Sequence, residues 1–124
     1  MQLDVKRFME AVGQMSHTTP GFTSQNETQA FLYKELVREE FQELEEAFRN
    51  QDVVETADAI ADMIFVLIGL CNTLGINFDA VWKEVCRSNL SKIPDTGVIL
   101  RREDGKVIKP PTFSPPNIPE ALGL

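Results

Sequence analysis

The chain has little of what several common chemistries require. It holds a single histidine, His17, in 124 residues, so the Glu-x-x-His pairs of a ferritin-like di-iron bundle cannot be assembled. Its two cysteines, Cys71 and Cys86, form no CxxC pair, and neither a structural zinc site nor a disulfide scaffold is expected. Twelve basic residues stand against 19 acids, for a net charge of −7. That deficit argues against polymeric nucleic acid, whose affinity comes from Lys and Arg neutralising phosphates. A small phosphate ligand stays open, because a bound divalent metal can reverse the local sign. Acids interrupt every apolar run before 18 residues, so no membrane span is expected. The first residues carry no signal-peptide core, and with unpaired cysteines this gives a cytoplasmic expectation.

What is present is helical periodicity. Val53–Leu74 runs without proline behind Asp52 as N-cap. Its Ile60, Met63, Ile64, Val66, Leu67, Ile68 and Leu70 cover most of the circumference, which predicts a helix buried on all sides. Residues 3–15 read as a short helix with Val5, Phe8, Met9 and Val12 at helical spacing. A loop with Pro20-Gly21 follows. Ser24-x-x-Glu27 and Asn26-x-x-Gln29 both offer capping boxes for a long helix over Glu27–Arg49. Residues 50–52 form a tight connection, so the two long helices should pack antiparallel. Gly75 is a stop, and Asn77 caps a fourth helix over Phe78–Leu90 with Phe78, Val81, Trp82 and Val85 inward.

Beyond Ser91 the character changes. Of the seven prolines only Pro20 precedes Pro94, and Asp104-Gly105 between two short apolar runs signals a hairpin. The expected fold is therefore all-α: one domain over 1–124, a four-helix-type bundle over 3–90, and an irregular arm over 91–124 containing a short hairpin.

The acids sort by face. On the second helix Glu39, Glu40 and Glu43 fall on or beside the apolar stripe, in the sector of Leu32, Leu36 and Ala47, with Val37, Phe41, Leu44 and Phe48 next round. Glu35, Glu45 and Glu46 are assigned to the solvated side. On the third helix Asp58 and Asp62 lie four apart on one side, with Glu55 a turn earlier. Glu55 also stands three after Asp52, where it would complete a capping box. Unpaired carboxylates are costly to bury, so this group must be protonated, paired or bound to a cation. All-oxygen ligands suit Mg²⁺, with Mn²⁺ as substitute.

Glu39-Glu-Phe-Gln-Glu43, then Glu55-Thr-Ala-Asp58 with Asp62 ahead of an apolar run, resembles the all-α nucleoside triphosphate pyrophosphohydrolase superfamily (MazG-like and phosphoribosyl-ATP pyrophosphohydrolase-like). Glu84–Lys92 and Asp104–Pro116 resemble the tail of one MazG-like branch. Glu55-x-x-Asp58 keeps that superfamily's spacing, while Asp62 alternatively takes its Asp position; Ala59 departs from the expected Glu. The resemblance implies hydrolysis of a nucleoside triphosphate, a deoxynucleotide in first place, to the monophosphate and pyrophosphate. It implies Glu40, Glu43, Asp58 and Asp62 as metal ligands, with Glu55 as a further candidate, and Glu39 as general base or extra ligand. Lys92 and Lys109, with Arg87 in reserve, would meet the phosphate charge, and Asn89 the base or sugar. Homodimers or homotetramers are implied as well.

Two rivals accompany this expectation. One is a phosphoribosyl-ATP pyrophosphohydrolase; the other is a non-catalytic nucleotide-binding helical module, beyond which lies a purely structural acidic bundle.

Overall fold

The computed structural model describes residues 1–124 and is all-helical. Its order is α1 (Gln2–Ala11), α2 (Glu27–Arg49), α3 (Val53–Leu74), α4 (Phe78–Leu90) and α5 (Ile118–Ala121). The chain divides into two compact units, Met1–Phe78 and Asp79–Leu124, so the division falls at the start of α4 rather than after it.

In the first unit α2 and α3 pack as an antiparallel pair, with α1 against α3. The turn between them is tight because two caps share residues. Gln51 N–H donates to Phe48 O at 3.1 Å and Asp52 N–H to Ala47 O at 3.1 Å, the paired bonds that close a helix when the residue after its cap is left-handed. Gln51 takes that conformation (φ 52). Asp52 then starts α3, its Oδ1 accepting from Val54 N–H and Glu55 N–H. Since the Asp52 N–H already bonds Ala47, the reciprocal half of a capping box with Glu55 is not made.

The seam follows a four-three spacing on both helices. Ala30, Tyr33 and Ala47 of α2 are buried, as are Ala59, Val66, Gly69 and Thr73 of α3. Gly69 is required by close approach: a Cβ there would lie 2.1 Å from Tyr33 Cε1. Val5 and Met9 of α1 complete the core with Tyr33, Val66 and Ile68.

Several expectations are corrected. Ile60, Ile64 and Leu67 are 42–47% exposed, so α3 is not buried on all sides; α1 and α2 cover two of its faces, and this stripe lies on another. α1 ends at Ala11 rather than 15. Neither proposed capping box forms before α2: Asn26 accepts from Thr23 N–H and donates to Gly21 O, while Gln29 reaches Met15 and Thr73. Leu32, Phe41, Phe48 and Trp82 are exposed, at 44, 51, 74 and 57%. The hairpin reduces to one bridge, Arg101 to Val107, around a turn in which Gly105 N–H donates to Arg102 O. The arm is not wholly irregular: Asn117 accepts from Glu120 N–H to cap α5, an Asn-x-x-Glu signal that the surrounding prolines masked. No single helix is long and apolar enough to cross a membrane.

Candidate functional site

The α2–α3 seam carries acids where its neighbours are apolar. Glu40 sits three residues before Glu43 on α2, and Asp62 faces them from α3, between the Tyr33–Gly69 approach and the small pair Ala47 and Ala59. Carboxylate oxygens of Glu40, Glu43 and Asp62 all lie within 4.8 Å of one another. Glu40 and Asp62 are half-buried and Glu43 is exposed.

Glu40 bears the electrostatic consequence. Burial first, then the hydrogen bond and charge of Glu43, then the charges of Asp62 and Glu39, push its carboxyl up to about 7. Burial disfavours the charged form, and each neighbouring negative charge adds to that. Its Oε2 is buried with no hydrogen-bond partner, a costly arrangement that a cation would relieve. Three converging carboxylates, one with an unsatisfied buried oxygen, are a donor set that fits a hard divalent ion.

Other expected site residues stand around this group. Asp58 and Glu55 are not in the 4.8 Å set; both line a cavity of about 360 Å³ that also takes Glu43, Glu46, Asn50 and Asp52. Glu43 thus belongs to both the cluster and the cavity. Glu46, assigned from sequence to the solvated side, is exposed and contributes to that lining. It follows Glu39 by seven residues and Glu43 by three, the spacing that keeps one helix face, and Asn50 continues the line. Glu39 is exposed on α2 beside the cluster.

The basic candidates belong to the second unit. Lys92 Nζ donates to Asn89 Oδ1 at 2.8 Å, and both residues line one cavity with Lys109. Arg87 is otherwise engaged. It pairs with Glu84 at 2.8 Å and donates to Pro115 O at 3.1 Å, and with Asn117 N–H on Glu84 Oε1 at 2.8 Å this clasps the tail to α4. The guanidinium, together with that backbone N–H, draws the Glu84 carboxyl down to about 2. Both cysteines are free thiols.

A family model described as phosphoribosyl-ATP pyrophosphohydrolase matches residues 5–89. The match spans the first unit and nearly all of α4, and stops before Lys92, Lys109 and the rest of the arm. No curated protein matches the chain.

Proposed function

The chain belongs to the phosphoribosyl-ATP pyrophosphohydrolase family, and on that premise we propose that it hydrolyses a deoxynucleoside triphosphate to the monophosphate and pyrophosphate with Mg²⁺, or Mn²⁺ in its place. The observation that carries this reading is the convergence of Glu40, Glu43 and Asp62, with a buried oxygen of Glu40 left unsatisfied. These three would hold the metal. When bound, it supplies charge neutralisation at the phosphate oxygens and lowers the pKa of an attached water.

The chain's own residues do the rest. Glu39, exposed beside the cluster, accepts the proton of the attacking water. The water oxygen bonds to the α-phosphorus as the bond to the β-phosphate oxygen breaks, and pyrophosphate leaves. Asp58 and Glu55 extend the acidic surface and suit a second ion or its water shell. Lys92 and Lys109 are assigned to phosphate charge and Asn89 to base or sugar; Arg87, held by Glu84, has a structural duty first.

The exposed stripe of Ile60, Ile64 and Leu67 on α3 supports assembly as a homodimer or homotetramer, which would withdraw that apolar surface from water. Free thiols and a nucleotide substrate suit the reducing cytoplasm.

The family description itself favours a second substrate, phosphoribosyl-ATP. The test is pyrophosphate release from a panel of ribo- and deoxynucleoside triphosphates and phosphoribosyl-ATP, with Mg²⁺, Mn²⁺ or EDTA. Release from a deoxynucleotide in Mg²⁺ alone is expected. Release from phosphoribosyl-ATP alone would transfer the assignment to the second reading. Binding without release from any of them would make the chain a nucleotide-binding module.

A further inference from the structure

Three ammonium groups and a guanidinium surround one cavity in the arm, and no carboxylate lines it. Lys92, Arg102, Lys106 and Lys109 share this space of about 890 Å³ with Asn89. Arg102 is held by Asp104 at 2.9 Å, whereas Lys92, Lys106 and Lys109 make no ion pair. The cluster is built rather than incidental. Lys109 Nζ lies 4.8 Å and Lys92 Nζ 5.9 Å from the centre of the Phe113 ring, so one half-buried aromatic engages both ammonium groups. In a chain of net charge −7, unneutralised cations that converge in this way mark a place for an anion.

The cavity has an apolar neighbour. Val98, Leu100, Ile108 and three prolines line a groove of about 360 Å³, and Ile108 and Lys109 belong to both spaces. Leu100 is 62% and Val98 is 62% exposed, which leaves apolar area ready for a flat ring. The juxtaposition has the polarity of a nucleotide: a ring at one end and several negative charges at the other, with Lys109 at the join.

We infer that residues 89–111 form a nucleotide-binding surface that works without metal, with the phosphates among Lys92, Arg102, Lys106 and Lys109 and the base in the groove beside Leu100. The proposal deepens the reading given above and rests on it for the triphosphate as ligand. It adds Arg102, Lys106 and the groove to the residues that select the substrate.

Isothermal titration of the full chain in EDTA with the α,β-imido analogues of dATP and dCTP, and with inorganic tripolyphosphate, tests this. At least one analogue should bind, and more tightly than tripolyphosphate. Arg102→Ala with Lys106→Ala should weaken analogue and tripolyphosphate about tenfold, since each lost charge removes a charge-assisted contact. Leu100→Ser should weaken the analogue about fivefold through lost apolar contact; a loss shared equally by tripolyphosphate would overturn the base's place in the groove. No metal-free binding by either analogue, or none of the expected loss in the double variant, would overturn the surface. No pyrophosphate from any substrate in Mg²⁺, with metal-free binding intact, would sink the proposed reaction and spare the arm. Full-rate hydrolysis with no metal-free binding would do the reverse.

Discussion

Glu40 and Glu84 are both glutamates on helices, and the two units of the chain move them in opposite directions. Among other acids, Glu40 is pushed up to about 7; beside Arg87, Glu84 is drawn down to about 2. The surroundings differ just as sharply. Met1–Phe78 holds thirteen acids and five bases, for a net −8, while Asp79–Leu124 holds six acids and seven bases, for +1. An acid among cations is satisfied within the chain and serves as a clasp. An acid among acids calls for a positive charge from outside, and that demand is what makes the first unit's seam the candidate site.

The largest effect that could break this contrast lies in the seam. Asp62→Asn and Glu43→Gln should each lower pyrophosphate release by about a hundredfold or more, the scale seen when a group that stabilises transition-state charge is removed. Helical circular dichroism should stay unchanged, because each substitution removes a repulsive charge rather than a packing contact. Full activity in either variant would show that the acids of the first unit are no more than a charged face.

The same contrast explains what was legible in the sequence. Glu40, Glu43 and Asp62 are placed by helix periodicity, and the boundaries of α2, α3 and α4 followed from Asp52, Gly75 and the absence of proline. Three- and four-residue spacing is written directly in the chain. Glu46, read as solvated, is exposed. The arm obeys no such period. Arg102 and Lys106 meet through a turn closed by one bridge, Arg101 with Val107, and the gathering of Lys92 and Lys109 at Phe113 joins residues 21 and 4 apart in sequence. Turn geometry and an aromatic contact at that separation leave no pattern to count. Nor did the exposed stripe on α3, since apolar residues look alike whether a neighbour covers them or not.

A second test compares the packing of the units. Gly69→Ala should destabilise the chain by about 2 kcal/mol, as overpacking does, because the added Cβ meets the buried Tyr33 ring at 2.1 Å. Gly105→Ala in the arm meets nothing within 4 Å and has only its left-handed φ of 86 to oppose it, at about 1 kcal/mol. Thermal unfolding should therefore show the larger Tm loss for Gly69→Ala. Equal losses would mean that the seam is no tighter than the turns of the arm.

Acidity gives a third, smaller effect. Folded Glu40 keeps its proton to about pH 7, whereas the unfolded group releases it near its ordinary 4.5. Its stabilising contribution is thus fully present below about 4.5 and is lost as the pH rises through 7. In EDTA the Tm should fall across that window, and Glu40→Gln should flatten the slope. Mg²⁺ should restore more stability at pH 8 than at pH 5, because the ionised form is the one that binds it. A Tm that rises over the window in EDTA would reverse the picture of Glu40.

The smallest effect is the mirror image in the second unit. Glu84 is stabilised in its charged form, so its contribution is present above the ordinary value of 4.5 and is lost as the pH falls towards 2. The pair with Arg87 lies at the surface and carries little global stability, so the readout must be local. Glu84 Oε1 accepts the Asn117 N–H that precedes α5, and hydrogen exchange at that amide should quicken at acid pH while the core amides of α3 hold. Glu84→Gln should bring the quickening to neutral pH, because a neutral amide keeps the shape but loses the charge that holds Arg87. If Asn117 exchanges at the same rate in both proteins, the tail is held by Ser91, whose side-chain oxygen accepts the Ser114 N–H at 2.8 Å, and the clasp on α4 is incidental.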